Sequence, residues 1–408
     1  MKRALALLLP LAVVACQDTQ QPTSPTAAPE AATVSAEQSA AAAGRYIVVF
    51  KADVADAPGL ARSLVAANGG QLRFAYERAI KGFAVHDLPA GALEALSRHP
   101  NVAYVEPDAE ARLFVTQTGA TWGIDRIDQV NLPLSTTYSY NSTGNNVNAY
   151  ILDTGVRLSH NDFGGRAAYI PNGKNGDFVN DGHGSAADCH GHGTHVAGTV
   201  GGSTYGVAKN VKIWAGRVVN CSGGGNVSMA IAAVDWITAN AAKPAVVNMS
   251  LGYGNVQSLR DAVENSIKAG VNYAVAAGNG NFFGIPLDAC SESPAGAPNA
   301  NTVGATDKTD KEASFSNYGK CVDILAPGVS VVSDYYTSDS ATATMSGTSM
   351  ATPHVAGVIA LYLQSNTTAT PAAVSSWLKN NGSSGKITLH SRSKRNKTPN
   401  LLLYTNGL

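Results

Sequence analysis

The sequence is poor in charged residues and has no excess of either sign. Only 14% of its 408 residues are charged, and 29 Lys and Arg are balanced by 29 Asp and Glu, which gives a formal net charge of zero. Binding to nucleic acid or to an anionic membrane surface usually draws on a basic excess that this composition lacks. We therefore expect neither nucleic acid nor an acidic membrane surface among the partners of this protein.

Long apolar runs are also missing. The N-terminal apolar run, residues 4–15, is too short to cross a bilayer as a helix and follows two basic residues. This arrangement is typical of a secretory signal, so residues 1–16 are predicted to be a signal peptide. Cys16 directly follows Val13-Val14-Ala15, which is similar to the lipobox of bacterial lipoproteins, where the cysteine is acylated. Acylation at Cys16 and ordinary signal cleavage nearby both stay open.

Cysteine is scarce, with five in the chain. Export implies an oxidising compartment, where cysteines form disulfides more often than metal sites. Setting Cys16 aside leaves an even number of cysteines, which allows three different pairings. The residues alone do not choose among the pairings of Cys189, Cys221, Cys290 and Cys321.

Two segments precede the main part of the chain. Residues 17–43 are mostly Pro, Ala, Ser, Thr and Gln, so they bury too little apolar surface to offset chain entropy and are predicted to be a disordered linker. Residues 44–114 alternate element types in the order strand, helix, strand, strand, helix, strand, which predicts a small α+β domain of ferredoxin-like topology. The predicted elements are 45–51, 59–68, two strands within 71–88, 90–99 and 102–114.

From about residue 122 onward, strands alternate with helices. This order predicts an α/β domain over residues 115–408, with a mostly parallel sheet covered by helices on both faces. Functional groups of such sheets gather at the C-terminal ends of the strands, where Asp153 and Asn279 fall. The predicted strands are 147–152, 211–218, 246–250 and 271–276, and the predicted helices are 228–242, 258–269 and 372–380.

Ser349 stands just before a run, 355–363, that is apolar on every side and therefore predicts a buried helix. A serine at a helix start has free backbone N–H groups and the positive end of the helix dipole beside it. Its simplest role is that of an N-cap, and its alternative role is that of a nucleophile. A nucleophilic serine needs a base, and His190, His192 and His195 are the candidates. Because His192 and His195 share one helix face, zinc binding is the alternative for this cluster.

Three segments together resemble a known family. They are Asp153-Thr154-Gly155, His192-Gly193-Thr194-His195-Val196-Ala197-Gly198 and Gly347-Thr348-Ser349-Met350-Ala351-Thr352-Pro353-His354. They look like the signature motifs of the subtilases, the subtilisin-like serine proteases, and most closely those of the aqualysin type within the proteinase K branch. The resemblance runs from about residue 117 to the C-terminus and implies a subtilisin-like fold and a secreted serine endopeptidase.

The resemblance also assigns roles in the site. Ser349 corresponds to the nucleophile, His192 to the general base, Asp153 to the residue that orients His192, and Asn279 to the side-chain donor of the oxyanion hole. An inactive relative that only binds its ligand is the alternative, but all four residues are present. Small, uncharged walls of the primary pocket imply a broad preference for apolar or aromatic side chains. The residues expected to bind substrate are Gly223, Gly224, Gly225, Ser250, Leu251, Gly252, Ala276, Ala277 and Gly278.

The disulfides and metal sites of similar proteins imply further expectations. The cysteines are expected to pair as Cys189 with Cys221 and Cys290 with Cys321, and calcium is the implied metal. One calcium site would use the Asp323 side chain and the carbonyls of Pro298 and Ala300. A second would use Asp125, Asp128 and Gln129, and Ser135 and Thr137 stand where relatives place further oxygen ligands.

Residues 44–114 resemble the inhibitory propeptide of subtilases. In this family such a domain assists folding of the protease and then inhibits it, so the chain's own propeptide is an expected partner alongside protein substrates. Autocatalytic cleavage is expected close after Phe114 or Val115, where an apolar stretch meets a polar one. The mature enzyme is expected to be a secreted monomer, and acylation at Cys16 would then anchor the precursor alone.

Overall fold

The computed structural model describes residues 44–108 and 115–408, which form two compact units. The predictions for the signal peptide, for the linker 17–43 and for Cys16 lie outside the described residues. Within the described part of the chain, no helix is long and apolar enough to cross a membrane.

The first unit has the predicted element order. Its four antiparallel strands lie in the order β2-β3-β1-β4. Alternate residues of two strands, Val48 with Phe50 and Phe83 with Val85, share one core with residues from both helices. Both helices therefore cover the same face of the sheet. The elements are β1 (Tyr46–Phe50), α1 (Ala57–Asn68), β2 (Gln71–Tyr76), β3 (Gly82–His86), α2 (Ala92–Ser97) and β4 (Val102–Pro107).

The second unit contains a nine-stranded sheet of mostly parallel strands. The strand order is β16-β17-β13-β12-β11-β10-β7-β9-β8, and the pair β16 and β17 is antiparallel. Its strands are β7 (Asn148–Asp153), β8 (Ala167–Tyr169), β9 (Lys212–Arg217), β10 (Ala245–Met249), β11 (Asn272–Ala276), β12 (Asn301–Thr306), β13 (Ile324–Pro327), β16 (Ser383–Ser384) and β17 (Leu401–Leu402). Two antiparallel pairs complete the strands, β5 (Val115–Thr118) with β6 (Thr137–Tyr140) and β14 (Val331–Asp334) with β15 (Thr342–Met345).

Helices cover both faces of this sheet. The side chains of strand β7 alternate between two cores, with Ile151 in one and Leu152 in the other. Four of the helices contribute residues to the first core and two to the second, as the sequence predicts for a buried parallel sheet. The helices are α3 (Trp122–Ile127), α4 (His192–Gly201), α5 (Val227–Asn240), α6 (Gln257–Lys268), α7 (Thr348–Ser365), α8 (Pro371–Asn381) and α9 (Ser391–Arg395).

Helix α7 is the predicted apolar helix, and it is buried along most of its length. Its close packing requires a residue without a side chain at one position of the helix, Gly357. A Cβ atom on Gly357 would lie 2.5 Å from the Cβ atom of Val207, so only glycine permits this approach. The helix thereby packs closely against the segment between helix α4 and strand β9.

A buried ion pair joins helix α3 to the segment after strand β12. The Arg126 side chain is fully buried, and its guanidinium donates to both carboxylate oxygens of Asp310 at 2.7 and 2.9 Å. This two-pronged geometry stabilises the pair in a site where either charge alone would be costly.

We expect Asp310→Asn to lower the free energy of unfolding by about 3–5 kcal/mol, because it leaves Arg126 charged and buried without its counter-ion. Thermal unfolding in a Ser349→Ala background, which avoids self-digestion, checks this through a fall in Tm of about 5–10 °C. The exposed Asp235→Asn in helix α5 is the matched control and should change Tm little. Equal Tm values for the two variants would contradict the assigned role of the pair.

Candidate active site

Asp153 and His192 form a direct pair at the edge of the sheet. Asp153 ends strand β7 and is fully buried, and His192 is the first residue of helix α4. The distance from Nδ1 of His192 to Oδ1 of Asp153 is 2.7 Å. Because a carboxylate can only accept, the ring carries its proton on Nδ1, which leaves Nε2 free to take a proton in the neutral ring.

The electrostatics of this pair favour a basic imidazole. Burial lowers the pKa of His192, but the charge of Asp153, its hydrogen bond and the charge of Asp188 outweigh burial and raise the pKa above the usual 6.5. His192 is therefore a stronger base than a free histidine.

Asp188 holds the start of helix α4 in place, although the sequence analysis did not identify it. Its carboxylate accepts hydrogen bonds from the backbone N–H groups of His190, Gly191 and Thr194 and from the hydroxyls of Thr154 and Thr194. An aspartate shortly before a helix start is the signal that would have found it. The network joins the segment after Asp153 to the turn that carries His192.

The other two histidines of the cluster have different surroundings. His195 is buried, its Nε2 lies 3.0 Å from the carbonyl of Val331, and burial lowers its pKa to about 3. The ring of His190 lies 6.5 Å from that of His192. In the described residues, the one group of three side chains with metal-like spacing is His183 with Cys189 and Cys221, whose sulfurs are bonded to each other. Nothing in this geometry supports the zinc alternative.

Ser349 is the second residue of helix α7 and does not cap it. The N-cap position is Gly347, and the Ser349 hydroxyl points away from the helix, where it donates to the carbonyl of Ser250 at 3.1 Å. The capping interpretation is therefore wrong. In this arrangement the hydroxyl is bonded to Ser250, and among the described residues no hydrogen bond joins it to His192.

Pro353 explains why Ser250 is bound so closely to Ser349. A proline has no backbone N–H, so the carbonyl of Ser349 lacks its usual donor four residues later. The Ser250 hydroxyl supplies that donor at 2.8 Å, and Asn248 in turn donates to the Ser250 hydroxyl at 3.0 Å. The proline inside the helix thus ties the end of strand β10 to the first turn of α7.

The side-chain amide of Asn279 lies beside the first turn of helix α7, and its orientation is fixed by Thr348. The backbone N–H and the hydroxyl of Thr348 donate to Oδ1 of Asn279 at 2.8 and 2.9 Å. Because a backbone N–H can only donate, this contact fixes the oxygen side of the amide and turns Nδ2 the other way. Across the described residues, neither Nδ2 of Asn279 nor the backbone N–H of Ser349 has a hydrogen-bond partner. A developing oxyanion could occupy the space that both donors face.

The residues expected to bind substrate lie around this centre. Ser250, Leu251 and Gly252 follow strand β10, and the glycines 223–225 form an exposed loop after strand β9. Ala276 and Ala277 are buried, and the backbone N–H of Gly278 donates to the Thr348 hydroxyl at 3.1 Å. Of these residues, Ser250 contacts Ser349 directly and Gly278 contacts its neighbour Thr348.

Both predicted disulfides are confirmed. Cys189 bonds to Cys221 and Cys290 bonds to Cys321, with Cα atoms 5.0 and 5.2 Å apart. The first joins the turn before helix α4 to the glycine loop 223–225. It therefore ties the segments that carry His192 and the glycine loop to each other.

The two predicted calcium sites differ in how well their residues suit a cation. At the first, Oδ1 of Asp323 pairs with Nζ of Lys379 at 2.8 Å, and Oδ2 accepts the backbone N–H of Thr302 at 2.8 Å. The Lys379 ammonium therefore supplies positive charge where calcium was expected. Calcium binding there requires Lys379 to move aside.

The second set of residues suits a cation better. The Ser135 hydroxyl lies 2.9 Å from Oδ1 of Asp125 and 2.7 Å from the Thr137 hydroxyl, so three oxygen-bearing side chains meet. Oδ1 of Asp128 is buried without a partner in the described residues. Burial raises the pKa of Asp128 to about 6, and the negative charge of Asp125 adds to the effect. The Gln129 amide instead donates to the backbone carbonyls of Asn131 and Pro133.

Comparisons of this chain with family models and with individual proteins agree on one family. A sequence model of the Subtilase family matches residues 144–401, and one described as Peptidase inhibitor I9 matches residues 45–114. An extracellular serine proteinase of Thermus sp. (strain Rt41A) is 48% identical over an alignment of 426 residues with gaps, which covers 99% of this chain and 100% of the relative. Alkaline serine exoprotease A of Vibrio alginolyticus is 48% identical over 324 residues, which cover 78% of this chain and 58% of the relative.

A solved structure agrees. The crystal structure of a cold adapted subtilisin-like serine proteinase is 49% identical, with a TM-score of 0.65, over 71% of this chain and 99% of that one. The matches and the geometry around Ser349 lead to the same conclusion. This chain belongs to the subtilase family.

Proposed function

We propose that this protein is a secreted serine endopeptidase in which Ser349 attacks the peptide carbonyl. The observation that carries the proposal is the His192–Asp153 hydrogen bond at the edge of the sheet to which neighbouring strands also bring Ser250, bonded to Ser349, and Asn279, bonded to Thr348. An inactive binding module is disfavoured because each chemical group that acyl transfer needs is present.

The chemistry follows from the roles of these groups. His192 accepts the proton of the Ser349 hydroxyl on Nε2 as the oxygen bonds to the carbonyl carbon, and Asp153 stabilises the resulting imidazolium. The Ser349 N–H and the Asn279 amide bind the oxyanion. His192 then gives its proton to the leaving amine, and water repeats the sequence to release the acyl group from Ser349.

Substrate choice and processing extend this proposal. Extended peptides would pair with the segments 223–225 and 250–252, and the small walls at Ala276, Ala277 and Gly278 would admit large apolar or aromatic side chains. The unit 44–108, which falls within the I9 match, would act as chaperone and inhibitor until the chain cleaves itself close after Phe114 or Val115. Export is supported by the extracellular relative, and acylation at Cys16 stays a prediction for the precursor alone.

We also propose calcium as a structural ion. Asp125 and Asp128, with the Ser135 and Thr137 hydroxyls, are the residues that would hold it, and the unpartnered carboxylate oxygen of Asp128 supports this choice. Gln129 would join them only through a change in its present hydrogen bonds. The set at Asp323, Pro298 and Ala300 stays a prediction, since Lys379 already neutralises Asp323.

We expect Ser349→Ala to abolish casein hydrolysis and to leave the precursor uncleaved, because no other hydroxyl can form the acyl intermediate. N-terminal sequencing and a casein assay measure the two effects. Ser365→Ala, at the other end of the same helix, is the matched control and should be processed and active. Casein hydrolysis by purified Ser349→Ala would rule out Ser349 as the nucleophile.

The pH dependence of kcat/KM should follow the protonation of His192. A base must be neutral to accept a proton, so the rate is full above its pKa and falls about tenfold per pH unit below it. Because Asp153 and Asp188 raise this pKa, the midpoint of the fall should lie above 6.5. A pH–rate profile on a small uncharged peptide checks this, and a rate unchanged down to pH 4 would exclude His192 as the base.

Calcium removal should lower Tm, and the response should depend on Asp128. An ion present at a hundred times its Kd stabilises the folded state by about 2.7 kcal/mol, which corresponds to roughly 4–5 °C. Thermal unfolding of Ser349→Ala with calcium or with a chelator measures this difference. Asp128→Asn should remove most of it and Asp323→Asn should not. The reverse pattern would place the ion at Asp323.

A further inference from the structure

Glu292 is an acidic side chain next to the expected primary pocket, and the sequence analysis gave it no role. It follows a short 3-10 turn, Ala289–Ser291, and is partly buried. Its Oε2 accepts the backbone N–H of Gly254 at 3.1 Å. A Cβ atom on Gly252 would lie 4.0 Å from the same Oε2, and one on Gly278 would lie 3.8 Å from Cγ of Glu292.

The Glu292 side chain therefore lies between two segments of the chain, each of which contacts the start of helix α7. Ser250 contacts Ser349 directly, and Gly252 is two residues further on, about 7 Å along an extended chain. Gly278 contacts Thr348, next to Ser349. Glu292 therefore bridges Gly252 and Gly278, which are both among the residues expected to bind substrate.

The charge of Glu292 has no counter-ion. Among the described residues, no Lys, Arg or His nitrogen lies within 4.0 Å of its carboxylate. The neighbouring cation, Arg260, donates instead to Ser293, Asn255 and Gln257. A carboxylate has several acceptor sites, and one backbone N–H leaves most of them open to a cationic guest.

We propose that Glu292 lets the same pocket also accept Lys and Arg, beside apolar and aromatic residues, on the acyl side of the cleaved bond. The proposal rests on the proposed protease function and sharpens its substrate class. A lysine or arginine stem would lie along the small apolar walls, with its charged end at the Glu292 carboxylate. A charge-assisted hydrogen bond in a partly desolvated pocket discriminates strongly against a neutral side chain of equal length.

Steady-state kinetics of the mature enzyme test this with peptides that differ only in the residue before the cleaved bond, either Lys, Arg, Phe or Leu. Glu292→Gln keeps an acceptor for Gly254 but removes the charge. It should lower kcat/KM for the Lys and Arg peptides about tenfold to a hundredfold and leave the Phe and Leu peptides within about twofold. Asp235→Asn, which removes an exposed charge elsewhere, should change none of the four values.

The outcomes separate this proposal from the proposed function. Hydrolysis of the Phe peptide, with a Lys value that Glu292→Gln does not change, would overturn the role of Glu292 and leave the protease assignment intact. Failure of the wild-type enzyme to cleave any of the four peptides would count against the protease itself.

A second readout needs no variant. Butylammonium should inhibit the wild-type enzyme competitively and more strongly than neutral butanol. Equal inhibition by the two compounds would also overturn the proposal.

Discussion

The two hydrogen bonds from Thr348 to Asn279 are the contact on which the rest of the site depends. They join the end of strand β11 to the first residue of helix α7 and fix which way the Asn279 amide faces. With the oxygen bound by Thr348, the NH2 group and the Ser349 N–H are the donors left for a carbonyl oxygen. In the proposed mechanism these donors are in place before substrate arrives, which is what makes such donors effective.

The buried helix α7 and the parallel sheet make this contact possible. Parallel strands end at one edge, so Asp153, Ser250 and Asn279 reach the same region from three neighbouring strands. Pro353 then removes a donor inside the helix, and Ser250 replaces it. A proline would weaken an ordinary helix, but here it allows a hydrogen bond that joins the first turn of helix α7 to the end of strand β10.

The sequence predicted the fold class and four of the nine sheet strands because these depend on local pattern, and the roles of Asp153, His192, Asn279 and Ser349 came from long motifs. The strand and helix alternation predicted a sheet covered on both faces, and the motif register selected His192 among three histidines. The disulfide pairing came from resemblance and is confirmed. Ser349 as a helix cap was wrong, since the capping position belongs to Gly347.

Contacts between distant segments could not be read from the sequence. Asp188 binds two segments whose meeting depends on the sheet, and Lys379 reaches Asp323 from a helix that starts nearly fifty residues later. Glu292 is the clearest case, since nothing in its neighbours along the chain places it between Gly252 and Gly278. Each of these depends on which strand ends are adjacent, and the order of strands is a property of the whole fold.

The kinetics of Asn279→Leu test the central claim most directly. This change keeps the size of the side chain and removes the amide that faces the developing oxyanion. The account predicts that kcat falls about 10²–10³-fold while KM changes little, because the lost hydrogen bond forms only in the transition state. An unchanged kcat, or a loss confined to KM, would contradict it.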